Sequence, residues 1–277
     1  MMGKVSRALR LMRSSWWILN QDRELLVFPL LSGISMALVL ATFMVPGVMV
    51  GMEPLARALE RDTFLLYELL AVFYFANYLV IIFFNAALMA CVMARMDGHD
   101  PTVGYGLRCA WRRLPQIAGW AFVSSTVGVI LRMLIERVPL IGQVVIGLLG
   151  MAWTVTAYLV VPVLVAEGKG PVDAYRASVS LLRRSWGEQL VGEAGLSVIF
   201  GVLTVIPTAF IMLAISSKSV ALMAGTLPVC GLIVAGLIVC HAAMQSIYAV
   251  AIYRYGVTGR APAGFDDDTL RQAFRPG

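Results

Sequence analysis

Long apolar runs alternate with short polar segments along the chain. The runs cover residues 25–52, 65–94, 114–134, 140–166, 190–215 and 222–253. Each is close to or longer than the roughly 20 apolar residues that a helix needs to cross the hydrocarbon of a bilayer. The pattern therefore predicts six transmembrane helices. Because lipid satisfies no backbone polar group, and because the alternation typical of a membrane barrel is absent, the predicted fold class is all-α.

The composition excludes a soluble protein. Hydrophobic residues make up 60% of the chain and charged residues 14%, whereas soluble domains have about 45–50% and about 25%. We therefore expect one polytopic helical membrane domain over residues 1–255. The four cysteines form no CxxC pair, so the sequence predicts neither a disulfide framework nor a metal cluster.

Basic residues are concentrated on one side of the predicted membrane. They lie before the first run, between the second and third, between the fourth and fifth, and after the sixth. Since cytoplasmic loops retain positive charge, both termini are expected in the cytoplasm. The net charge of +6 is explained by attraction to anionic lipid headgroups, and no nucleic-acid partner is expected.

The segment before the first run has the pattern of an interfacial amphipathic helix. Its apolar residues fall on one helix face, and Trp16 and Trp17 are expected at the membrane interface. A plain positively charged flank is the alternative. Similar basic sequences at 107–115 and 178–186 predict such a helix before each pair of spans. The predicted headgroup contacts are Lys4, Arg7, Arg10, Arg13, Arg112, Arg113, Arg183 and Arg184.

These recurring helices suggest three repeat units, at residues 1–100, 101–169 and 170–257. Convergence on basic amphipathic sequence is the alternative explanation. Residues 256–277 contain too few apolar side chains to pack, which predicts a mobile cytoplasmic tail.

Few polar residues fall inside the apolar runs, and these are the candidates for an intramembrane site. His241 and Gln245 share a helix face in the sixth run, and Asn77 and Asn85 lie in the second. Glu193 is near the start of the fifth, where a local ion pair with Arg183 or Arg184 is expected. Structural hydrogen bonds between helices are the competing explanation for the histidine and the asparagines.

Catalytic motifs are absent from the sequence. It holds no HExxH, GxSxG or P-loop pattern, so we expect no enzymatic activity and no cofactor. The segment Asp97–Pro101 is expected to form a capped turn, with Asp100 starting the next helix; a cation bound by Asp97 and Asp100 is the alternative.

Other residues bear on the shape of the spans. Prolines at 29, 162 and 207 predict kinks. Close helix crossings are expected at the small residues Gly147, Gly150, Gly231, Ala235 and Gly236.

Several segments resemble a known family. They are residues 173–192 (DAYRASVSLLRRSWGEQLVG), 83–88 (FFNAAL), 152–154 (AWT) and 24–33 (ELLVFPLLSG). Together they resemble a family of bacterial six-span membrane proteins known only as a domain of unknown function, from the N-terminal helix to about Tyr255. More distantly, the basic helix before a hairpin is similar to the membrane domain of some glycerophosphodiester phosphodiesterases. The first resemblance implies a location in the bacterial inner membrane, and neither implies a functional residue.

Three functions remain after these observations. The first is a non-enzymatic scaffold or accessory subunit that binds a membrane protein partner, favoured by the basic helices and the scarcity of polar groups in the spans. The second is a transporter or channel for a small or amphiphilic solute, with His241 in a site at the membrane midplane. The third, an intramembrane lipid enzyme, lacks a nucleophile–base pair or metal cluster.

Overall fold

The computed structural model describes residues 2–51, 63–183 and 189–265, and these residues form helices joined by short connections, without any strand. The prediction of an all-α fold is confirmed. The elements are α1 (Met2–Gln21), a short 3₁₀ helix (Arg23–Leu26), α2 (Val27–Val50), α3 (Thr63–Met96), α4 (Val103–Arg112), α5 (Leu114–Ile135), α6 (Leu140–Ala157), α7 (Val160–Glu167), α8 (Pro171–Arg183), α9 (Gln189–Ser216) and α10 (Val220–Thr258).

In the described part of the chain, six helical segments are long and apolar enough to cross a membrane, as predicted. They are Arg23–Met49, Phe64–Met96, Leu114–Ile135, Gly142–Glu167, Gly195–Ser216 and Val220–Thr258. Along the chain they follow one another as three successive pairs; the second and third pairs are joined at residues 136–139 and 217–219, and residues 52–62, between the first two spans, lie outside the described chain. We call the joined end of each span its turn end and the opposite end its base end. The short helices α1, α4 and α8 each precede one pair.

The described chain divides into two compact units. The first combines the residues up to Pro29, Met96–His99 and the chain from Leu181 onward, and the second combines Leu30–Arg95 with Asp100–Ser180. This division does not follow the boundaries of the three expected repeats, which stay a prediction.

In the first unit, α1 packs along both α9 and α10. Its Ile18 and Leu19 are buried, whereas Trp16 and Trp17 are about half exposed. The chain after α10 returns to α1, since a Cβ added at Gly264 would lie 2.8 Å from the ring of Trp17. Helix α10 itself reaches Thr258, three residues into the segment expected to be a tail, and residues 266–277 lie outside the described chain.

In the second unit, α8 approaches α5 very closely. A Cβ added at Gly119 would lie 2.7 Å from Cγ of Pro171, the first residue of α8. Helix α4 begins differently from the prediction. Its N-cap is Thr102, whose Oγ1 accepts a hydrogen bond from the backbone of Tyr105 at 3.2 Å. Because Thr102 is the N-cap, Asp100 is not the start of the helix; it pairs with Arg95 at 2.7 Å.

The predicted kinks and close crossings need corrections. Pro29 falls in the first turn of α2, where a backbone N–H has no intrahelical partner to lose, so it requires no kink. The fourth span is interrupted before Pro162, between α6 and α7, and Pro207 lies inside α9. A Cβ added at Gly147, Gly231 or Gly236 would meet nothing within 4 Å, so these glycines make no close crossing.

Candidate functional site

His241 lies on α10 beside a hydroxyl from α9. Its Nε2 is 3.4 Å from Oγ of Ser197, a long hydrogen bond, and its ring centroid is 5.1 Å from that of Phe200. His241 is half-buried and Ser197 is exposed. Gln245, one turn further along α10, is half-buried as well. This is a weakly bonded polar pair with one open side, without a carboxylate to activate the imidazole among these contacts.

Glu193 lies four residues before Ser197 on α9, which places the two positions on the same helix face. The side chain of Glu193 and residue Arg184 lie outside the described part of the structure. The expected ion pair with Arg183 or Arg184 therefore stays a prediction.

The two asparagines belong to the second unit, on α3. Asn77 donates from Nδ2 to the backbone carbonyl of Phe73 in its own helix, at 2.8 Å, and Asn85 is half-buried. A polar contact between α3 and α5 is made by Tyr74. Tyr74 accepts a hydrogen bond from Nη1 of Arg132 at 3.3 Å, and Arg132 also pairs with Glu136 at 3.2 Å.

A buried hydroxyl group of the second unit is hydrogen-bonded at the interruption of the fourth span. Ser178 of α8 is fully buried. Its Oγ donates to the backbone carbonyl of Thr156 at 2.7 Å and accepts from the backbone N–H of Leu159 at 3.2 Å. A break in a helix leaves such groups without intrahelical partners. Ser178 therefore replaces the missing helix bonds and fastens α8 to the span.

An aromatic cluster extends this contact. Trp120 of α5, Trp153 of α6 and Tyr175 of α8 have ring centroids 5.3–6.0 Å apart and planes inclined by 22–25°. The hydroxyl groups of Tyr175 and Thr156 are 3.0 Å apart. Three helices thus meet around Tyr175, and aromatic contacts of this kind add about 0.5–1.5 kcal/mol each beyond area burial.

Charged pairs lie near the base ends. In the first unit, the two terminal guanidinium nitrogens of Arg254, Nη1 and Nη2, donate to the two carboxylate oxygens of Asp97 at 2.5 Å. The hydrogen bond from Arg254 holds the pKa of the Asp97 carboxyl below its ordinary value. In the second unit, Asp100 pairs with Arg95 at 2.7 Å. The two aspartates considered as cation ligands thus each bind an arginine, and no group of three or more metal-ligating side chains occurs in the described residues.

The sequence profile of a protein family matches residues 63–265, which is most of the chain. Its description is a family of unknown function, DUF6159. The chain belongs to the DUF6159 family. The expected family resemblance is thereby supported from the second span onward, whereas the match does not include the N-terminal helix and first span. No curated protein and no solved structure matches the chain. The distant similarity to phosphodiesterase membrane domains has no support in these comparisons.

The part of the chain matched by DUF6159 contains the aromatic cluster, Ser178, the Asp97–Arg254 pair and the Ser197–His241 pair. Sequence reasoning missed the first three. Trp153 and Tyr175 did appear in the segments that resembled the family, but nothing in a single sequence indicated that they touch. Asp97 and Arg254 are 157 residues apart, so their pairing has no local signal.

The predicted headgroup cations of this DUF6159 member differ in their surroundings. Arg113 is half-buried, and its guanidinium lies against Gly168, the left-handed residue that ends α7. A cation at this position also complements the negative end of the helix dipole. The exposed cations among those described are Arg10, Arg13, Arg112 and Arg183. The side chains of Lys4 and Arg7 lie outside the described set.

Proposed function

We propose that this DUF6159 member is a non-enzymatic scaffold or accessory subunit of the bacterial inner membrane. The observation that carries the proposal is the attachment of α8 to the fourth span through Ser178. A helix whose position is fixed by buried hydrogen bonds offers a preorganised surface, which lowers the entropic cost of binding a partner. The outer side of that helix is available, since Val172 is 57% exposed.

The proposed orientation has both termini in the cytoplasm. Its support is the excess of Lys and Arg in the segments at the base ends of the spans. The proposed lipid partners are anionic phospholipids. Exposed Arg10 and Arg13 beside the half-exposed Trp16 and Trp17 on α1 suit the headgroup layer, where cations meet phosphates and aromatic rings meet the interface.

A transporter or channel is the second candidate function. The Ser197–His241 pair favours it, because a half-buried imidazole beside an exposed hydroxyl can bind a polar solute. A solute flux through proteoliposomes that contain the protein, abolished in His241→Ala at equal insertion, would support this function against the scaffold.

Site-specific photo-crosslinking in living cells tests the scaffold. A photoreactive amino acid is placed at exposed positions on the short helices, Arg108 of α4 and Val172 of α8, and at Leu232 as the control. Leu232 is 77% exposed in the apolar part of α10 and is expected to meet lipid. The scaffold predicts a discrete protein adduct from Arg108 or Val172 and only lipid adducts from Leu232. Lipid adducts alone at all three positions would contradict it.

A further inference from the structure

Two helices are much longer than the hydrocarbon of a bilayer requires. Helix α3 has 34 residues and α10 has 39. At a rise of 1.5 Å per residue they are about 51 and about 58 Å long, whereas the hydrocarbon is about 30 Å thick. Even at a tilt of about 40°, α10 would extend about 45 Å along the membrane normal. Part of each helix therefore lies outside the hydrocarbon.

Burial indicates which part of α10 this is. Near the turn end, Val220 is 81% exposed, and further along Leu232 is 77% and Ile238 59% exposed. At the base end, every residue from Ser246 to Tyr253 is buried, on all faces of the helix. A helix segment buried on all faces is surrounded by protein. The exposed apolar side chains that precede this buried segment, such as Leu232 and Ile238, are therefore the ones that we assign to lipid.

The Ser197–His241 pair lies where this change occurs. His241 is 21 residues from Val220, or about 31 Å along α10, and Ser197 is 19 residues from Ser216, or about 28 Å along α9. The distance of the pair from the turn end is thus about the same along both helices. This distance is close to the thickness of the hydrocarbon, about 30 Å. With the hydrocarbon beginning at the turn ends of the two helices, beside the polar turn at residues 217–219, the pair falls at its far boundary and not near its centre.

The second unit, taken by itself, has the same change in its long spans. On α3, Phe64 is 82% exposed, but residues 86–92 are buried, beginning about 35 Å from the turn end. On the fourth span, Met151 is 61% exposed and Leu159 is 1% exposed, about 29 Å from the turn end. Helix α5 differs, because its 22 residues fit the hydrocarbon and one of its faces is buried well within that length.

We infer that lipid hydrocarbon covers only about 20 residues next to the turn end of the long spans, and that the Ser197–His241 pair contacts phospholipid headgroups. One proton is used in the bond between the exposed hydroxyl and the half-buried imidazole, so the pair retains one O–H or N–H that can donate to a phosphate or ester oxygen. The base halves of the spans form protein-packed structure beyond the membrane. This inference does not depend on the scaffold function, and it assigns to lipid the pair that the transporter would use for its solute.

Solid-state NMR tests the headgroup contact directly. The chain has two histidines, so His99→Asn leaves His241 as the only site labelled by ¹³C-histidine. In liposomes of phosphatidylcholine and phosphatidylglycerol, the ³¹P nuclei of the lipid should dephase the His241 signal in a rotational-echo experiment. Headgroup carbons of the lipid are the internal positive control. A His241 signal without dephasing, beside dephased headgroup carbons, would overturn the contact.

Spin-label depth measurements test the boundary of the hydrocarbon. A nitroxide is attached to a single cysteine at Leu232, Ile238 or Val257, all exposed positions of α10, after replacement of the four native cysteines by alanine. We expect the label at 232 to be the deepest by oxygen accessibility, 238 shallower, and 257 open to a water-soluble nickel chelate. A span centred on the whole apolar run would instead make 238 the deepest, which would refute the inference. The NMR test retains the native cysteines and stands if the cysteine-free protein does not fold.

Discussion

The hydrogen bonds of Ser178 give the sharpest stability prediction. Ser178→Ala removes both bonds of Oγ, and it leaves the backbone N–H of Leu159 and the carbonyl of Thr156 without this partner at a fully buried site. A buried polar group that loses its partner costs about 1–3 kcal/mol. Polar contacts between membrane helices average only about 0.6 kcal/mol, with a maximum near 1.7 kcal/mol. Since two backbone groups are affected at once, we expect a destabilisation of about 2–3 kcal/mol.

The same helix offers a matched control. Ser180 is exposed, and its Oγ donates at 2.8 Å to the carbonyl of Ala177 within α8. Ser180→Ala should therefore change the free energy of unfolding by less than about 0.5 kcal/mol. Both variants are measured by equilibrium unfolding in mixed detergent micelles, with the tryptophan fluorescence of the whole chain, to which Trp120 and Trp153 contribute, as the reporter. Equal stabilities of Ser178→Ala and Ser180→Ala would refute the argument that Ser178 holds the interrupted span.

Two further predictions follow from close contacts and from charge. Gly119→Ala brings a Cβ within 2.7 Å of Pro171 and should cost about 1–3 kcal/mol, whereas Gly147→Ala meets nothing within 4 Å and should be neutral or slightly stabilising in the same unfolding assay. Because Arg254 lowers the pKa of Asp97 in the folded protein, the stability from this pair is present above the ordinary pKa of the carboxyl and is lost as pH falls through the lowered value. Asp97 is 48% exposed, so Asp97→Asn should remove at most about 1 kcal/mol at neutral pH and flatten the acid limb of the stability curve; an unchanged acid limb would contradict the pairing.

The number and position of the spans could be predicted because hydrophobic length is a local property of the chain. The depth of a residue in the membrane could not be predicted in this way. Residues 246–253 are apolar because they are buried in protein, but in the sequence they continue the apolar run that meets lipid. The apolar run in the sequence therefore extends to Tyr253. Its centre lies near Ile238, close to His241, whereas the centre of the exposed part of the helix lies nearer the turn end. A sequence alone does not distinguish the two apolar surroundings.

The interruption of the fourth span shows a similar limit. Pro162 correctly indicated that this span is irregular. The break lies before Pro162, next to Leu159. There Ser178, 19 residues further along the chain, supplies the hydrogen bonds that the helix lacks. The position of the break thus depends on a partner from another helix, which local propensity does not contain.

The packing of α1 has a consequence for synthesis of the protein. Its buried side chains, Ile18 and Leu19, belong to the unit that α9 and α10 complete, yet more than 160 residues of chain separate them from the start of α9. At 5–20 residues per second, a ribosome needs on the order of ten to thirty seconds to make that interval. During this time the N-terminal helix has no partner from the last hairpin and must be held by the membrane surface or by a chaperone. A chain truncated before α9 would leave these apolar residues without their partners permanently, which would mark it for degradation.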